Sequence, residues 1–339
     1  MLKRNLKLNN IIDSSIYLDV EYSYFETLNA GRKTVIISDN NVYNLYPDIF
    51  NNHNHIIIEA GEKNKNINTL THIIEKLIEL GIDRKSIIIG FGGGLVCDMT
   101  GFAATIFMRG IKFGFIPSTL LAQIDAAIGG KNGINSGELK NYIGTFSHPE
   151  FIICDPVLLK TLPDIEYKNG FGEILKYALI AGKDLYNVIY KDRDLLIKRD
   201  TNILNIIIGK CVNIKLEYIK ADPYDTGKRH ILNFGHSLGH CFEIVDNLPH
   251  GIAVVKGMIA ALDLSLKFNY TTEKDVELIK KLFIDFEYDI SYNLTNKHWD
   301  IFIKDKKKNS DTIEFIFFKN IGDVFVRPVR FDEIITALS

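Results

Sequence analysis

In the first half of the chain, apolar positions fall in short runs of fully buried type, separated by longer amphipathic stretches. Residues 34–38 (TVIIS), 56–59, 86–90 (SIIIG) and 113–116 read as strands. Residues 67–80 repeat apolar side chains at helical spacing, and so does the run from the glycines at 92–94 to about Met108. Strands alternating with helices predict a parallel sheet covered on both faces. From about Leu162 the period changes. Apolar residues recur at helical spacing over 172–180, 185–197, 203–219, 232–245, 252–268 and 273–286, with one late strand-like run at 313–318. The expected architecture is an α/β domain over residues 1–160 and an all-α domain over 161–339, divided near Thr161-Leu162-Pro163.

A length of 339 residues suits two such domains. Apolar residues at 46% and charged residues at 24% support a large core and argue against disorder. The net charge is −2, with no strongly basic stretch beyond Lys304 to Lys308, which disfavours nucleic acid as a partner. The four cysteines are widely spaced and form no CxxC pair, so a reducing cytoplasm is expected rather than a disulfide framework or thiolate metal site. The opening stretch, MLKRNLKLNN, is not that of a signal peptide, and no apolar run reaches membrane-spanning length.

Candidate chemistry concentrates in Lys228–Gly257, which carries His236, His240 and His250. On a helix, His236 and His240 share one face. His250 lies between Pro249 and Gly251, at a turn or helix start. Two imidazoles plus a third ligand from elsewhere compose a catalytic zinc site with an open position. Gly235 and Gly239 flank the pair and allow something to approach closely. Gly90-Phe91-Gly92-Gly93-Gly94 follows a strand and opens a helix, a setting for a pyrophosphate or simply a tight turn. Asp98, a turn later, reads equally as a cap-region acid or a ligand contact. Lys131 after Gly129-Gly130, and Lys140-Asn141, suit an anion, although surface charge also explains them. Glu173 and Lys176 read either as a surface i,i+3 pair or, for Glu173, as the missing metal ligand.

Jointly, Gly92–Ile111, Ile116–Phe146, LKTLP at 159–163, GEILKYALI at 172–180 and RHILNFGHSLGHCFE…HGIAVVKGM at 229–258 resemble the 3-dehydroquinate synthases of the sugar-phosphate cyclase family. The stretches run in family order from about Asp39 to Lys307. The resemblance implies a Rossmann-like first domain, and a fold related to the iron- and zinc-dependent glycerol dehydrogenases. It implies zinc, or Co2+ or another divalent metal, on Glu173, His236 and His250. It implies NAD at Asp39, Asn41, Glu62, Lys65, Gly93, Gly94, Asp98, Ser118, Thr119, Leu121, Asp125, Lys140, Thr161 and Leu162. A substrate phosphate is implied near Arg109, Lys131, Asn141 and one of Lys306 and Lys307. A substrate carboxylate is implied near Lys176, Lys215, Arg229 and Asn233. His240 would relay protons, and an arginine at position 109 offered by a partner subunit implies a homodimer.

The implied reaction turns 3-deoxy-D-arabino-heptulosonate 7-phosphate into 3-dehydroquinate and phosphate. It proceeds by transient NAD-dependent oxidation, phosphate elimination, re-reduction and intramolecular aldol closure, within the shikimate pathway to aromatic amino acids. Several residues depart from the family pattern: Ile252 for an acid, Ala126-Ala127 for two serines, Asn132 for threonine, Leu139 for glycine and Asp225 for glutamate. They leave room for a neighbouring cyclase, such as a 2-deoxy-scyllo-inosose synthase acting on glucose 6-phosphate, or for a degenerate non-catalytic member. Lys215 and Arg229 favour a carboxylate-bearing substrate, which glucose 6-phosphate is not.

Overall fold

A computed structural model describes residues 1–8, 11–29, 31–137, 139–306 and 311–339. The chain divides into two compact units: Met1–Pro163 with Leu204–Tyr224, and Asp164–Ile203 with Asp225–Ser339.

The first unit is built on a seven-stranded sheet. Its strands are β1 (Leu2–Leu8), β2 (Ile11–Leu18), β3 (Thr34–Asp39), β4 (Asn54–Ile58), β5 (Ile87–Gly92), β6 (Lys112–Pro117) and β9 (Phe151–Cys154). They are ordered β1-β2-β9-β6-β5-β3-β4, and every neighbouring pair except β1–β2 is parallel. The continuous β-branched runs have their cause here. Val35, Ile36 and Ile37 of β3 and Ile87, Ile88 and Ile89 of β5 are wholly buried. Each such side chain contributes about 1.5–3 kcal/mol relative to exposure. From β3 the chain steps to β4 on one side, whereas β5 and β6 lie on the other. That reversal is a topological switch point, and in open α/β sheets ligands bind outside the carboxyl ends of the strands at such a point. A separate hairpin, β7 (Lys131–Ser136) and β8 (Leu139–Phe146), carries the double-glycine lysine. Its periodicity is hard to read because β8 is almost wholly exposed, so no buried face marks it.

The second unit is helical: Asp164–Ala181, Lys183–Lys191, Arg193–Ile197, His236–Val245, His250–Lys267, Glu273–Asp285, Asn296–Lys306 and Phe331–Leu338. The helix Thr201–Ala221 passes from this unit into the first. The late strand-like run falls in β10 (Thr312–Asn320), which pairs antiparallel with β11 (Asp323–Arg330), so one hairpin accompanies the helices. Two expected helices are broken. The stretch 185–197 splits at Asp192. The stretch 232–245 is interrupted by a 3-10 turn at Lys228–Asn233, extended backbone at Phe234 and left-handed Gly235 at φ 80°. Arg229 and Asn233 therefore do not share the helix of His236. Among the described residues, no helix is long and apolar enough to cross a membrane.

Candidate active site

In the second unit, missing side chains bring three helices together. A Cβ on Gly172 would lie 2.3 Å from Gly251 O, and one on Gly251 would lie 1.8 Å from Asn169 O. A Cβ on Gly239 would lie 3.1 Å from Val254 Cα. What approaches the glycines beside the histidine pair is thus the backbone of the 250–267 helix. Asn169 Oδ1 accepts a 2.6 Å hydrogen bond from Gly251 N, satisfying one of the open donors at that helix start. His250 is the first residue of the helix, following Pro249 at its cap.

The result is a convergence of Glu173, His236 and His250, with ligand atoms within 4.8 Å of one another. The Nε2 atoms of His236 and His250 lie 3.6 Å and 3.5 Å from Glu173 Oε1. The Glu173 carboxylate is fully buried, paired with the Lys176 ammonium, and neither oxygen accepts a hydrogen bond of good geometry. Burial opposes its charge, yet Lys176 and the two histidines outweigh burial and hold its carboxyl well below the ordinary range. Burial, then Lys176, keeps the His236 imidazole far below its ordinary value, hence neutral. Its Nδ1 faces Phe234 O at 3.3 Å, leaving Nε2 as the coordinating atom. For His250, burial is overcome by the Glu173 and Glu243 carboxylates on either side of the ring, at 3.5 Å and 3.1 Å, which push the imidazole up to about 9. A buried carboxylate without good donors and two imidazole nitrogens form the donor set of a divalent-metal site with an open position, so these residues fit a metal. His240 stands one turn along from His236, with ring centroids 5.5 Å apart. Arg229 is buried in the 228–233 turn and Asn233 is exposed at its end. Lys306 ends the 296–306 helix, while Lys307 lies outside the described residues.

In the first unit, the candidate cofactor residues gather at the carboxyl ends of the strands. Asp39 ends β3, and its Oδ1 accepts from Asn41 N at 2.9 Å and Val42 N at 3.0 Å. Burial raises its carboxyl above the ordinary value against those two bonds. Asn41 is exposed in the first turn beyond it. Gly93 caps the helix Gly94–Ile106, and Ser118 N donates to Gly92 O at 2.8 Å. A Cβ on Gly94 would find ordinary contact, 3.5 Å from Ala126. The protein's own packing would admit a side chain there, and its absence suits a phosphate at the helix N-terminus. Thr119 Oγ1 accepts from Ala122 N at 3.2 Å, Leu121 is half-buried, and Thr161 Oγ1 bonds Tyr46 OH at 2.8 Å, with Leu162 following.

Lys65 donates to both the Asp98 carboxylate and Asn141 Oδ1. Asn141 N donates to Asn135 Oδ1 at 2.8 Å, and Asn135 Nδ2 to Glu62 Oε1 at 2.8 Å. Glu62, Lys65, Asp98 and Asn141 thus share one network. Burial raises the Asp98 carboxyl, against the pull of Lys65. Lys215 donates to both the carboxylate and, at 2.6 Å, the backbone carbonyl of Asp125. Lys131 and Lys140 are exposed on the β7–β8 hairpin. Arg109 is exposed and left-handed, at φ 65°. Among the departures, Asn132 has a clear structural role: its Nδ2 donates to Gly130 O and Ser147 O, both at 2.9 Å.

Two residues escaped the sequence reading. Asn169 left no signal, because its partner is 82 positions away. Glu243 did leave one: His236, His240 and Glu243 lie on one face at i, i+4 and i+7.

Comparison with known proteins bears on both units. The family models for the 3-dehydroquinate synthase N-terminal and C-terminal parts match residues 55–169 and 170–309. A 3-dehydroquinate synthase from Dictyoglomus thermophilum is 37% identical over 310 residues, covering 89% of this chain and 87% of that protein. One from a Nitratiruptor species is 36% identical over 340 residues, covering 96% and 94%. Among solved structures, a 2-deoxy-scyllo-inosose synthase complexed with carbaglucose-6-phosphate, NAD+ and Co2+ superposes with a TM-score of 0.87 at 24% identity, covering 99% of both chains. That likeness shows the fold, while the family models and the closer sequence relatives show the lineage: this chain belongs to the 3-dehydroquinate synthase family.

Proposed function

We propose that the chain converts 3-deoxy-D-arabino-heptulosonate 7-phosphate to 3-dehydroquinate and phosphate. The observation that carries this, in a member of that family, is the buried Glu173 carboxylate facing His236 and His250 Nε2 at 3.6 Å and 3.5 Å. One carboxylate and two imidazoles would hold a divalent metal such as zinc or Co2+. Bound there, the metal supplies Lewis acidity toward the substrate's hydroxyl oxygens. The strand ends at Asp39, Gly93 and Ser118 would hold NAD, which would supply reversible hydride chemistry without net consumption.

The chain's own residues bind, orient and move protons. Lys131, Asn141 and Arg109 serve the phosphate, and Lys176 and Arg229 the carboxylate, through charge-assisted bonds. The buried guanidinium of Arg229 favours a substrate with a second anion over glucose 6-phosphate. Asp98 and Asn141 hold the Lys65 ammonium in place, and Asp125 does the same for Lys215. His240, on the face of His236, receives and returns protons. Arg109 on its exposed left-handed turn suits delivery to a partner subunit, hence a homodimer, and four buried free cysteines suit the cytoplasm.

The test is phosphate release with the heptulosonate phosphate against glucose 6-phosphate, with and without a chelator. Chelator-sensitive release from the heptulosonate phosphate alone, without net NADH, is expected. Release from glucose 6-phosphate instead would assign the chain to the inosose synthases, and no release from either would point to a non-catalytic member.

A further inference from the structure

His250 is held from both sides of its ring. Its Nε2 is 3.5 Å from Glu173 Oε1, and its Nδ1 is 3.1 Å from Glu243 Oε2. An ionised carboxylate only accepts hydrogen bonds, so Nδ1 keeps its proton toward Glu243, and Nε2 is the nitrogen that gives up its proton when a metal takes its place beside Glu173. His236 obtains the same arrangement from a backbone carbonyl, Phe234 O. His250 depends instead on a side chain, from the helix that also supplies His236. A second arrangement competes: ligand atoms of His240, Glu243 and His250 also lie within 4.8 Å of one another, so Glu243 could itself be a ligand. The difference lies in what each carboxylate lacks. Glu173 is fully buried with both oxygens short of a good donor, whereas Glu243 already accepts from His250.

We infer that Glu243 is a positioning residue that fixes His250 as the Nδ1–H tautomer and so presents its Nε2 to the metal. This rests on reading Glu173, His236 and His250 as the metal centre. Carboxylates placed behind histidine ligands have this effect, and losing one lowers metal affinity about 10–100-fold.

The test uses the full chain stripped of metal and titrated with Zn2+ against a competing chromophoric chelator. Co2+ absorption reports ligand number and geometry, and circular dichroism in excess chelator checks folding. One ion per chain is expected. Glu243→Ala should weaken it about 10–100-fold. Glu243→Gln should fall between, because its amide oxygen still accepts from Nδ1–H, with a Co2+ spectrum close to that of the unaltered protein. If Glu243→Ala fails to fold, Glu243→Met replaces it, keeping bulk without a strong acceptor. Unaltered affinity in these variants overturns the inference while leaving the metal centre standing. So does loss of one of two bound ions with the other unaffected, which would make Glu243 a ligand. An unaltered chain that binds no ion, or a His236→Ala variant that binds as tightly, defeats the metal centre itself and this inference with it.

Discussion

The Cβ that Gly257 lacks would stand 1.9 Å from the carbonyl oxygen of Gly235. This crossing sets the separation of the helices that bear His236 and His250, whose ring centroids are 5.2 Å apart. Gly257→Ala must push backbone against backbone, an overpacking cost of at least about 1–3 kcal/mol. It should lower the thermal midpoint of chelator-treated protein and weaken zinc binding together. A variant that loses stability yet binds zinc as before would show that the crossing does not set the ligand geometry.

The imidazole of His250, pushed up to about 9 by Glu173 and Glu243 against the opposing effect of burial, is protonated in the metal-free chain at neutral pH. Its raised value means that folding favours proton uptake. The stability gained is complete below the ordinary histidine value of about 6.5 and is lost as pH rises through about 9. Urea midpoints of chelator-treated protein should therefore fall over that range, by more than those of His250→Ala. If His250 is a metal ligand it must give up its proton on binding, and zinc affinity should rise over the same range.

Lys131 begins β7 directly after Gly129 and Gly130, both at positive φ, and its side chain is exposed. If it contacts the substrate phosphate, Lys131→Ala should cost roughly 1.5–3 kcal/mol of substrate binding, the worth of a hydrogen bond to a charged group. Kinetics with the heptulosonate phosphate and NAD titration by fluorescence give the comparison. Equal losses for substrate and NAD would remove Lys131 from the phosphate site.

Asn132 and Gly101 are matched. A Cβ on Gly101 would lie 2.0 Å from Asn132 Oδ1, while the amide nitrogen of Asn132 ties Gly130 O to Ser147 O. Gly101→Ala should destabilise the chain by about 1–3 kcal/mol. In an Asn132→Ala background it should cost less, giving a coupling of roughly 0.5–3 kcal/mol in a double-mutant cycle of urea unfolding. Strict additivity would mean that the two positions do not constrain each other.

The parallel sheet was legible because strands buried on both faces write their burial as unbroken apolar runs, as in Val35–Ile37 and Ile87–Ile89. The β7–β8 hairpin was not, since β8 is almost wholly exposed. The helix expected over 232–245 failed at Gly235, which is left-handed and packed where Met258 and Val254 leave no room for a Cβ, a neighbourhood that the local sequence does not reveal. At the candidate metal centre the residue types were readable, but their grouping rested on resemblance. The spacing of His236 and His240 alone points to those two as a pair, whereas the fold sets His236 and His250 against Glu173.

By itself, then, the sequence determined what is local: where the chain turns from strand–helix alternation to helices, and which helix faces carry imidazole and carboxylate. Those follow from side-chain periods of two and 3.6 residues, which any window reveals. Only the tertiary structure decided which of those groups meet. Glu173 and His250 are 77 positions apart, and they meet because Gly172 and Gly251 let two backbones touch. That depends on atoms that are absent, and a missing side chain acquires meaning only when its neighbour in space is known.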